Sequence, residues 1–367
     1  MAPISKLINA QAIISRGIYN VLDYGINDSN SPESNSARLN GLIEKVSRYG
    51  GGTIYFPAMN YYFNSPNYLK NNITFVGDGW GSILLYSGNS DFIIIGETDL
   101  TKKYENIFIE NLYLKCINNS NNGSAIKLIG GAENPLDGGT YTPRRILFNK
   151  LKIEEFGFAG INVDYTCINV FYQNLWIKRN GRFGIKVGVD CDVSHCFIGE
   201  NGIKYPGDFY NCNILVSGAD SRITDCHIWG WGAERGILID YAGDVHISNC
   251  VIEEHSKEGI LIYNSSTCRI VNNYLEDNSF GNYNLYSAIK IIGNYGASNP
   301  AYYTQITGNR FGKQIWGGIQ AGHRYCVEEE GAFVDYTYFA LNYAKYGYVT
   351  GLTSFIGTNS RSGDNYL

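Results

Sequence analysis

A short motif that recurs along the chain constrains the fold more than any other feature. The motif consists of an aliphatic residue, any two residues, an asparagine or cysteine, any one residue and a large apolar residue. It recurs at Val193–Ile198, Ile223–Ile228, Ile247–Ile252 and Ile270–Leu275. The Asn or Cys positions of successive motifs, counted from Asn174, are 22, 30, 24 and 23 residues apart. Repeats of this length are typical of solenoids, in which each repeat forms one coil and stacking buries the core.

A second motif follows each of these and reads glycine, isoleucine, any residue, then valine or isoleucine. Its instances are Gly160–Val163, Gly184–Val187, Gly236–Ile239, Gly259–Ile262 and, with alanine first, Ala288–Ile291. Alternating apolar and polar residues give each strand an inward and an outward face. Because no helical segment separates the strands, the sequence predicts an all-β protein, a parallel β-helix (β-solenoid).

The Asn or Cys of the first motif is expected at a tight corner, where stacked side-chain amides bond to one another. We expect one inward-facing column formed by Asn111, Asn174, Cys196, Cys226, Cys250, Asn273 and Asn309. The nine cysteines are odd in number and contain no CxxC pair, which argues against a disulfide framework or a zinc site. They are interpreted as core residues, and neither a metal nor a cofactor is predicted.

An amphipathic segment from Ser34 to Arg48 precedes the repeats, with apolar residues at Leu39, Leu42, Ile43 and Val46. A helix laid across the open end of a solenoid covers its core, so we predict an N-terminal capping helix. The predicted organisation is an N-terminal arm at 1–18, a capping strand and helix at 19–60, β-helix coils at 61–324 and C-terminal coils at 325–367.

The net charge and the hydropathy of the chain argue against two classes of binding partner, nucleic acids and membranes. The formal net charge is -5 and no Lys/Arg cluster stands out, which argues against nucleic acid. The sequence shows no apolar stretch of membrane-spanning length and no signal peptide, so no membrane partner is predicted.

The opening of the chain carries a family resemblance. Tyr19–Asp28, the helix and Gly51–Pro57 resemble the start of the pectate-lyase-like right-handed parallel β-helix superfamily, especially phage tailspike polysaccharide depolymerases. Ser34, Asn35 and Ser36 stand where the family has Asp-Asp-Thr. The resemblance implies an elongated homotrimer that binds a surface polysaccharide, located outside the cell or on a virion. The same scaffold carries many reactions, and no polygalacturonase motif is present.

Acidic residues follow the first strands of neighbouring coils. Glu253 and Glu254 lie one coil before Asp277, and glycosidic cleavage needs two nearby carboxyl groups. Glu254 and Asp277 are predicted as the catalytic pair, with Glu253 beside them. The alternative is that these are ordinary surface carboxylates of an acidic solenoid.

A second cluster surrounds a long loop. Glu234 and Asp240 are further catalytic candidates, while Trp229, Trp231 and Tyr263 suit the faces of sugar rings. The tryptophans could instead pack against a neighbouring subunit.

Lys178 and Arg179 form a basic interruption in the acidic column. They would suit a substrate carboxylate, or would pair with adjacent glutamates.

These features predict a polysaccharide-degrading enzyme, an endo-acting glycoside hydrolase. A polysaccharide lyase using Arg179 or Lys178 beside Ca²⁺ and a non-catalytic receptor-binding or structural solenoid are the alternatives.

Overall fold

The computed structural model describes residues 17–97, 104–130, 143–294, 300–312, 315–316, 319–320, 322–344 and 347–366. Two compact units divide the chain, one of residues 1–177 and one of residues 178–367. In each unit the coils add strands to three parallel sheets, which we call the first, second and third sheet of that unit in chain order. The predicted β-helix is confirmed.

Unit 1–177 contains a short strand of each sheet in nearly every coil. Its first-sheet strands are Ile18–Asn20, Gly52–Phe56, Ile73–Gly77, Glu105–Glu110, Arg144–Asn149 and Ile168–Gln173. Its second-sheet strands are Asn60–Phe63, Ile83–Tyr86, Tyr113–Cys116 and Lys152–Glu154, and Trp176–Lys178 crosses the unit boundary. Its third-sheet strands are Asn67–Leu69, Ile93–Ile95, Ile126–Leu128 and Ala159–Val163.

The predicted capping helix is present as Pro32–Arg48, and 3-10 turns occupy Val21–Tyr24 and Gly79–Gly81. The helix begins two residues earlier than Ser34, because Ser31 caps it by accepting a hydrogen bond from the Ser34 N–H and Pro32 fits the first turn. Leu39, Leu42, Ile43 and Val46 are buried, as their spacing predicts.

Unit 178–367 repeats the same three-strand coil. Its first-sheet strands are Asp192–Ser194, Arg222–Thr224, His246–Ser248, Arg269–Val271, Gln305–Thr307, Tyr338–Ala340 and Arg361–Ser362. Its second-sheet strands are Phe197–Gly199, His227–Trp229, Val251–Glu253, Tyr274–Glu276 and Arg310–Gly312. Its third-sheet strands are Phe183–Val187, Cys212–Val216, Arg235–Asp240, Ile260–Tyr263, Ile289–Ile292, Tyr325–Glu330 and Gly351–Ser354. Two short pairs are added, Ala301–Tyr302 with Val334–Asp335 and Ile315–Trp316 with Ile319–Gln320.

The inward column of unit 178–367 is confirmed from Cys196 onward. The Cys226 thiol contacts the thiols of Cys196 and Cys250, and the Cys250 N–H donates to Asn273 Oδ1 at 2.9 Å. Asn273 donates through its backbone N–H and its side-chain amide to Asn309 Oδ1 at 2.9 and 3.0 Å. Asn342 and Asn365 continue this ladder. Each side-chain amide forms hydrogen bonds with buried polar groups of the neighbouring coil, and these bonds hold the turn between the first and second sheets in place.

The column prediction is wrong at Asn111 and Asn174. Both have left-handed backbone angles, with φ of 54° and 55°, and Asn174 is exposed. The inward positions of unit 1–177 are one residue later, at Leu112, Leu151 and Leu175. Asparagine suits both kinds of position, since it tolerates a positive φ and also bonds along a ladder.

Candidate functional site

The outer face of the second sheet in unit 178–367 carries a row of acidic and aromatic side chains. Trp229, Glu253 and Glu276 are register partners in consecutive coils, so their Cα atoms are about 4.8 Å apart. Residues before and after the inward Ile228, Ile252 and Leu275 point outward together. The sheet therefore stacks two carboxylates and an indole on one face, of which Glu276 is buried, with 7% of its surface exposed.

Each of these carboxylates is held by a neighbour. His227 Nε2 lies 2.7 Å from Glu253 Oε1, and the Trp229 indole N–H donates to Glu254 Oε2 at 2.6 Å. The hydroxyl of Tyr274 donates to Glu276. Charge-assisted bonds of this kind orient the carboxylates.

Glu254 also lines a pocket of about 350 Å³. The other lining residues are Trp231, Gly232 and Ala233, which follow the strand His227–Trp229, together with Ser256 and Phe280. The Trp231 side chain is 63% exposed, and its ring centroid lies 5.8 Å from that of Trp229. The geometry brings Glu253, Glu254, Trp229 and Trp231 together, whereas the sequence interpretation placed the two tryptophans in a second cluster with Glu234 and Asp240.

Asp277 does not share this exposure. Its residue is only 1% exposed, so the structure contradicts its prediction as a surface carboxylate facing Glu254. It occupies a left-handed turn position, with φ of 48°, as Glu254 does with φ of 60°. A turn residue leaves the alternation of the strand, so its position after an outward residue does not predict exposure.

Glu234 lies in an ion-pair network instead of in the pocket. Its carboxylate is 2.6 Å from Lys257 Nζ and accepts the Gly207 N–H at 2.6 Å, and its side chain is 13% exposed. Lys257 follows Glu234 by 23 residues, which is one coil. The prediction of Glu234 as a catalytic group is not supported, because both oxygens are engaged in holding the loops together.

Asp240 and Tyr263 lie on another surface, at the end of third-sheet strands where they are register partners. The loop at 200–211 brings Tyr210 to Asp240 and packs Phe209 against Tyr263 with ring centroids 5.0 Å apart. Burial raises the pKa of Asp240, while Tyr210 and Lys186 oppose that rise. This second cluster is distinct from the row around Glu253.

Arg179 pairs with Glu200 at 2.8 Å, which fits the alternative that the basic residues neutralise adjacent glutamates. Lys178 lies at the end of its second-sheet strand and is half-buried. Neither residue lines the pocket at Glu254.

The parts of the chain that the structure describes contain neither a preformed metal site nor a membrane-spanning helix. No group of three or more His, Cys, Asp or Glu side chains there is arranged to hold a metal ion. Within the same ranges no helix is long and apolar enough to span a bilayer.

Three residues of this row were not among the predicted site residues, namely His227, Tyr274 and Glu276. Glu276 follows Glu253 by 23 residues, so coil spacing could have revealed the stacked pair. His227 and Tyr274 occupy equivalent outward positions in their strands, as the register shows.

Comparisons with known proteins agree on the architecture. Residues 140–318 match the family described as the right-handed β-helix region. The mannuronan C5-epimerase AlgE2 of Azotobacter vinelandii is 25% identical over 261 residues, which cover 66% of this chain but 25% of that protein. The chain thus spans about a quarter of the length of this curated relative.

Solved structures extend the likeness over most of the chain. The A-module of the mannuronan C-5 epimerase AlgE4 of Azotobacter vinelandii superposes with a TM-score of 0.69 at 18% identity, covering 94% of this chain and all of that module. The enzymatically active domain of tailspike protein 2 of bacteriophage CBA120 gives a TM-score of 0.68 at 16% identity, covering 88% of this chain and 47% of that domain. A mutant tailspike of E. coli bacteriophage HK620 in complex with a pentasaccharide gives 0.67 at 11% identity, covering 99% of this chain and 66% of that one.

Identities this low establish shared architecture and leave the reaction open. The stacked three-strand coils, the capping helix and these matches together show that the chain is a right-handed parallel β-helix protein, with the fold seen in phage tailspikes and epimerase A-modules.

Proposed function

We propose that the protein binds and cleaves a polysaccharide as an endo-acting glycoside hydrolase, with Glu254 and Glu253 as its two carboxyl groups. The observation that carries this proposal is the position of Glu254 in a pocket beside an exposed tryptophan, with Glu253 outward on the same turn. Glu253 lies at the end of its second-sheet strand and Glu254 in the turn that follows, so a polysaccharide chain laid along this surface would meet both carboxylates.

In this mechanism one carboxyl group protonates the glycosidic oxygen and the other acts as a nucleophile or activates water. Trp229 holds Glu254 through Oε2, and among the described residues Oε1 has no hydrogen-bond partner, which leaves it to meet a substrate. His227 holds Glu253 in the same way. The Trp231 ring offers a flat apolar surface for a pyranose face.

The similar proteins support a polysaccharide ligand. A tailspike neighbour was solved with a pentasaccharide bound, and another neighbour is a tailspike domain named as enzymatically active. The epimerase relatives act on mannuronan by name.

A panel of bacterial surface glycans that includes mannuronan tests the proposal. A hydrolase releases new reducing ends without ultraviolet absorbance, whereas a lyase releases them together with the absorbance of an unsaturated product. Reducing-end release without that absorbance is the expected result. If every glycan keeps its length, the proposal fails and a binding solenoid or an epimerase becomes the better explanation.

The second candidate function is proton removal next to a sugar carboxylate, the step that an epimerase and a lyase share. The observation in its favour is the cluster of Asp240, Tyr210 and Lys186, together with the epimerase relatives. Asp240 and Tyr210 are paired proton carriers, and Lys186 supplies a cation for a uronate. Solvent deuterium incorporated at C5 of mannuronan, without chain cleavage, would identify an epimerase.

Trp231→Ala is expected to weaken glycan binding by about 1–3 kcal/mol while turnover at saturation changes little. The ring is exposed and makes no hydrogen bond to Glu254, so its loss removes contact area and leaves the carboxylate in place. Isothermal titration with the substrate polysaccharide and a kcat measurement check this. An unchanged affinity would contradict a sugar-binding role for Trp231.

We also propose that the protein assembles as a homotrimer on a virion or another extracellular surface. Exposed tyrosines in the later coils support assembly, since Tyr303 and Tyr336 stack 4.9 Å apart with 58% and 43% exposure. Sedimentation at micromolar concentration is expected to give a trimer. A stable monomer would argue against the assembly but not against polysaccharide binding.

A further inference from the structure

An exposed tryptophan lies on unit 1–177, among residues that the proposed catalytic site does not use. Trp80 sits in the 3-10 turn Gly79–Gly81 and is 47% exposed. A side chain added at Gly79 would meet nothing within 4 Å, so the surface beside Trp80 is open. Covering an exposed aromatic ring removes apolar surface from water, which favours the binding of a ligand that fits against the ring.

Trp80 is held in place by a second indole. Its ring centroid is 6.1 Å from that of Trp176 at an interplanar angle of 63°, an edge-to-face contact. Trp176 belongs to an outward column of the second sheet, in which Lys152 and Tyr113 occupy the preceding coils. The two indoles therefore form one aromatic surface beside polar side chains of the second sheet.

The polar groups of this surface are neutralised in pairs. Lys152 Nζ is 3.3 Å from Glu154 and lies over the Tyr113 ring at 4.2 Å from its centroid. Tyr113 donates its hydroxyl hydrogen to Glu154. Lys115 pairs with Glu155 at 3.3 Å. Because each lysine has a carboxylate partner, the surface offers hydrogen bonds without a net charge that would select a strongly anionic ligand.

We infer that Trp80 and Trp176 form an accessory sugar-binding platform for the pyranose rings of a polysaccharide. The apolar face of a pyranose ring matches an indole surface, and its hydroxyl edge can bond to Lys152 and Tyr113. The inference rests on the proposed function only in that the ligand is a polysaccharide. It does not need the chain to be cleaved.

Affinity electrophoresis of the full chain tests the platform, in gels that contain either mannuronan as an anionic probe or dextran as a neutral probe. The parent protein should be retarded by at least one probe, and Trp80→Ala should weaken that retardation about tenfold in apparent Kd. Trp80→Phe should retain part of the affinity. Tyr68→Ala, which removes an aromatic residue of 50% exposure from the third sheet of the same unit, is the matched control and should migrate like the parent.

Several outcomes would overturn the platform. The first is an absence of retardation in both gels, and the second is equal behaviour of the Trp80→Ala and Tyr68→Ala variants. The third is a retardation of the parent protein that disappears when salt is added, as expected for a purely charged contact. A changed sedimentation coefficient of Trp80→Ala would instead assign the ring to contact between copies. If no glycan is cleaved but retardation still depends on Trp80, the hydrolase proposal fails while the platform stands.

Discussion

Glu254→Gln and Glu253→Gln are each expected to lower turnover by about 10²–10⁴-fold while glycan binding and the fold are retained. The amide keeps the shape of the side chain and most of its hydrogen bonding but cannot carry the charge or transfer the proton. Glu254 should show the larger effect, because it lines the pocket. Reducing-end release under saturating substrate measures the loss, and titration with the same glycan measures retained binding.

Glu200→Gln is the matched control for this pair. Glu200 has the same left-handed turn conformation as Glu254, with φ of 54°, but its side chain pairs with Arg179 and does not line the pocket. Its replacement should leave turnover close to that of the parent. If both pocket variants cleave normally and Asp240→Asn is inactive, the reaction takes place at the third-sheet cluster and the proposed pair is wrong.

Much of the fold could be predicted because inward positions repeat with the coil. Ile223, Ile247 and Ile270 are spaced by one coil and are fully buried, so a periodic signal reports a packed column. The number of strands per coil could not be predicted as readily. A single left-handed residue, such as Asp225 or Asn249, divides each motif into two strands, and many polar residues tolerate that conformation.

The site was less predictable because turns and loops do not follow the repeat. Glu254 and Asp277 look equivalent in sequence, yet one lines a pocket and the other is buried. Tyr210 reaches Asp240 through the irregular loop at 200–211, whose path no periodic pattern describes. By contrast, the ion pair of Glu234 with Lys257 spans one coil, so register arithmetic could have identified it as a structural contact.

Two buried histidines of unit 178–367 are fixed in the neutral form by their partners. His323 Nδ1 lies 2.8 Å from the Gly347 carbonyl oxygen, to which it must donate, and Nε2 accepts the Asn278 N–H at 3.2 Å. His255 repeats the arrangement, with Nδ1 at 2.8 Å from Asn278 Oδ1 and Nε2 at 2.9 Å from Asn213 Nδ2. A second proton on either ring would place two donors face to face in a buried site. Burial accordingly lowers the pKa of both histidines from 6.5 to about 4.

The protein is therefore expected to lose stability as the pH falls from 6.5 towards 4. In that window the unfolded chain binds protons at these two positions and the folded chain does not, so unfolding is favoured, whereas above pH 6.5 neither state is protonated and the full stability is present. A pKa difference of this size corresponds to about 3 kcal/mol for each histidine.

Thermal unfolding midpoints measured across this pH range should fall steeply for the parent and less steeply for a His255→Asn and His323→Asn double variant, whose amides can still bond to neighbouring groups as Asn180 and Asn201 do. His195→Asn, at an exposed turn, serves as the control and should keep the parent's slope. An equally steep fall in the double variant would show that other groups cause the acid sensitivity.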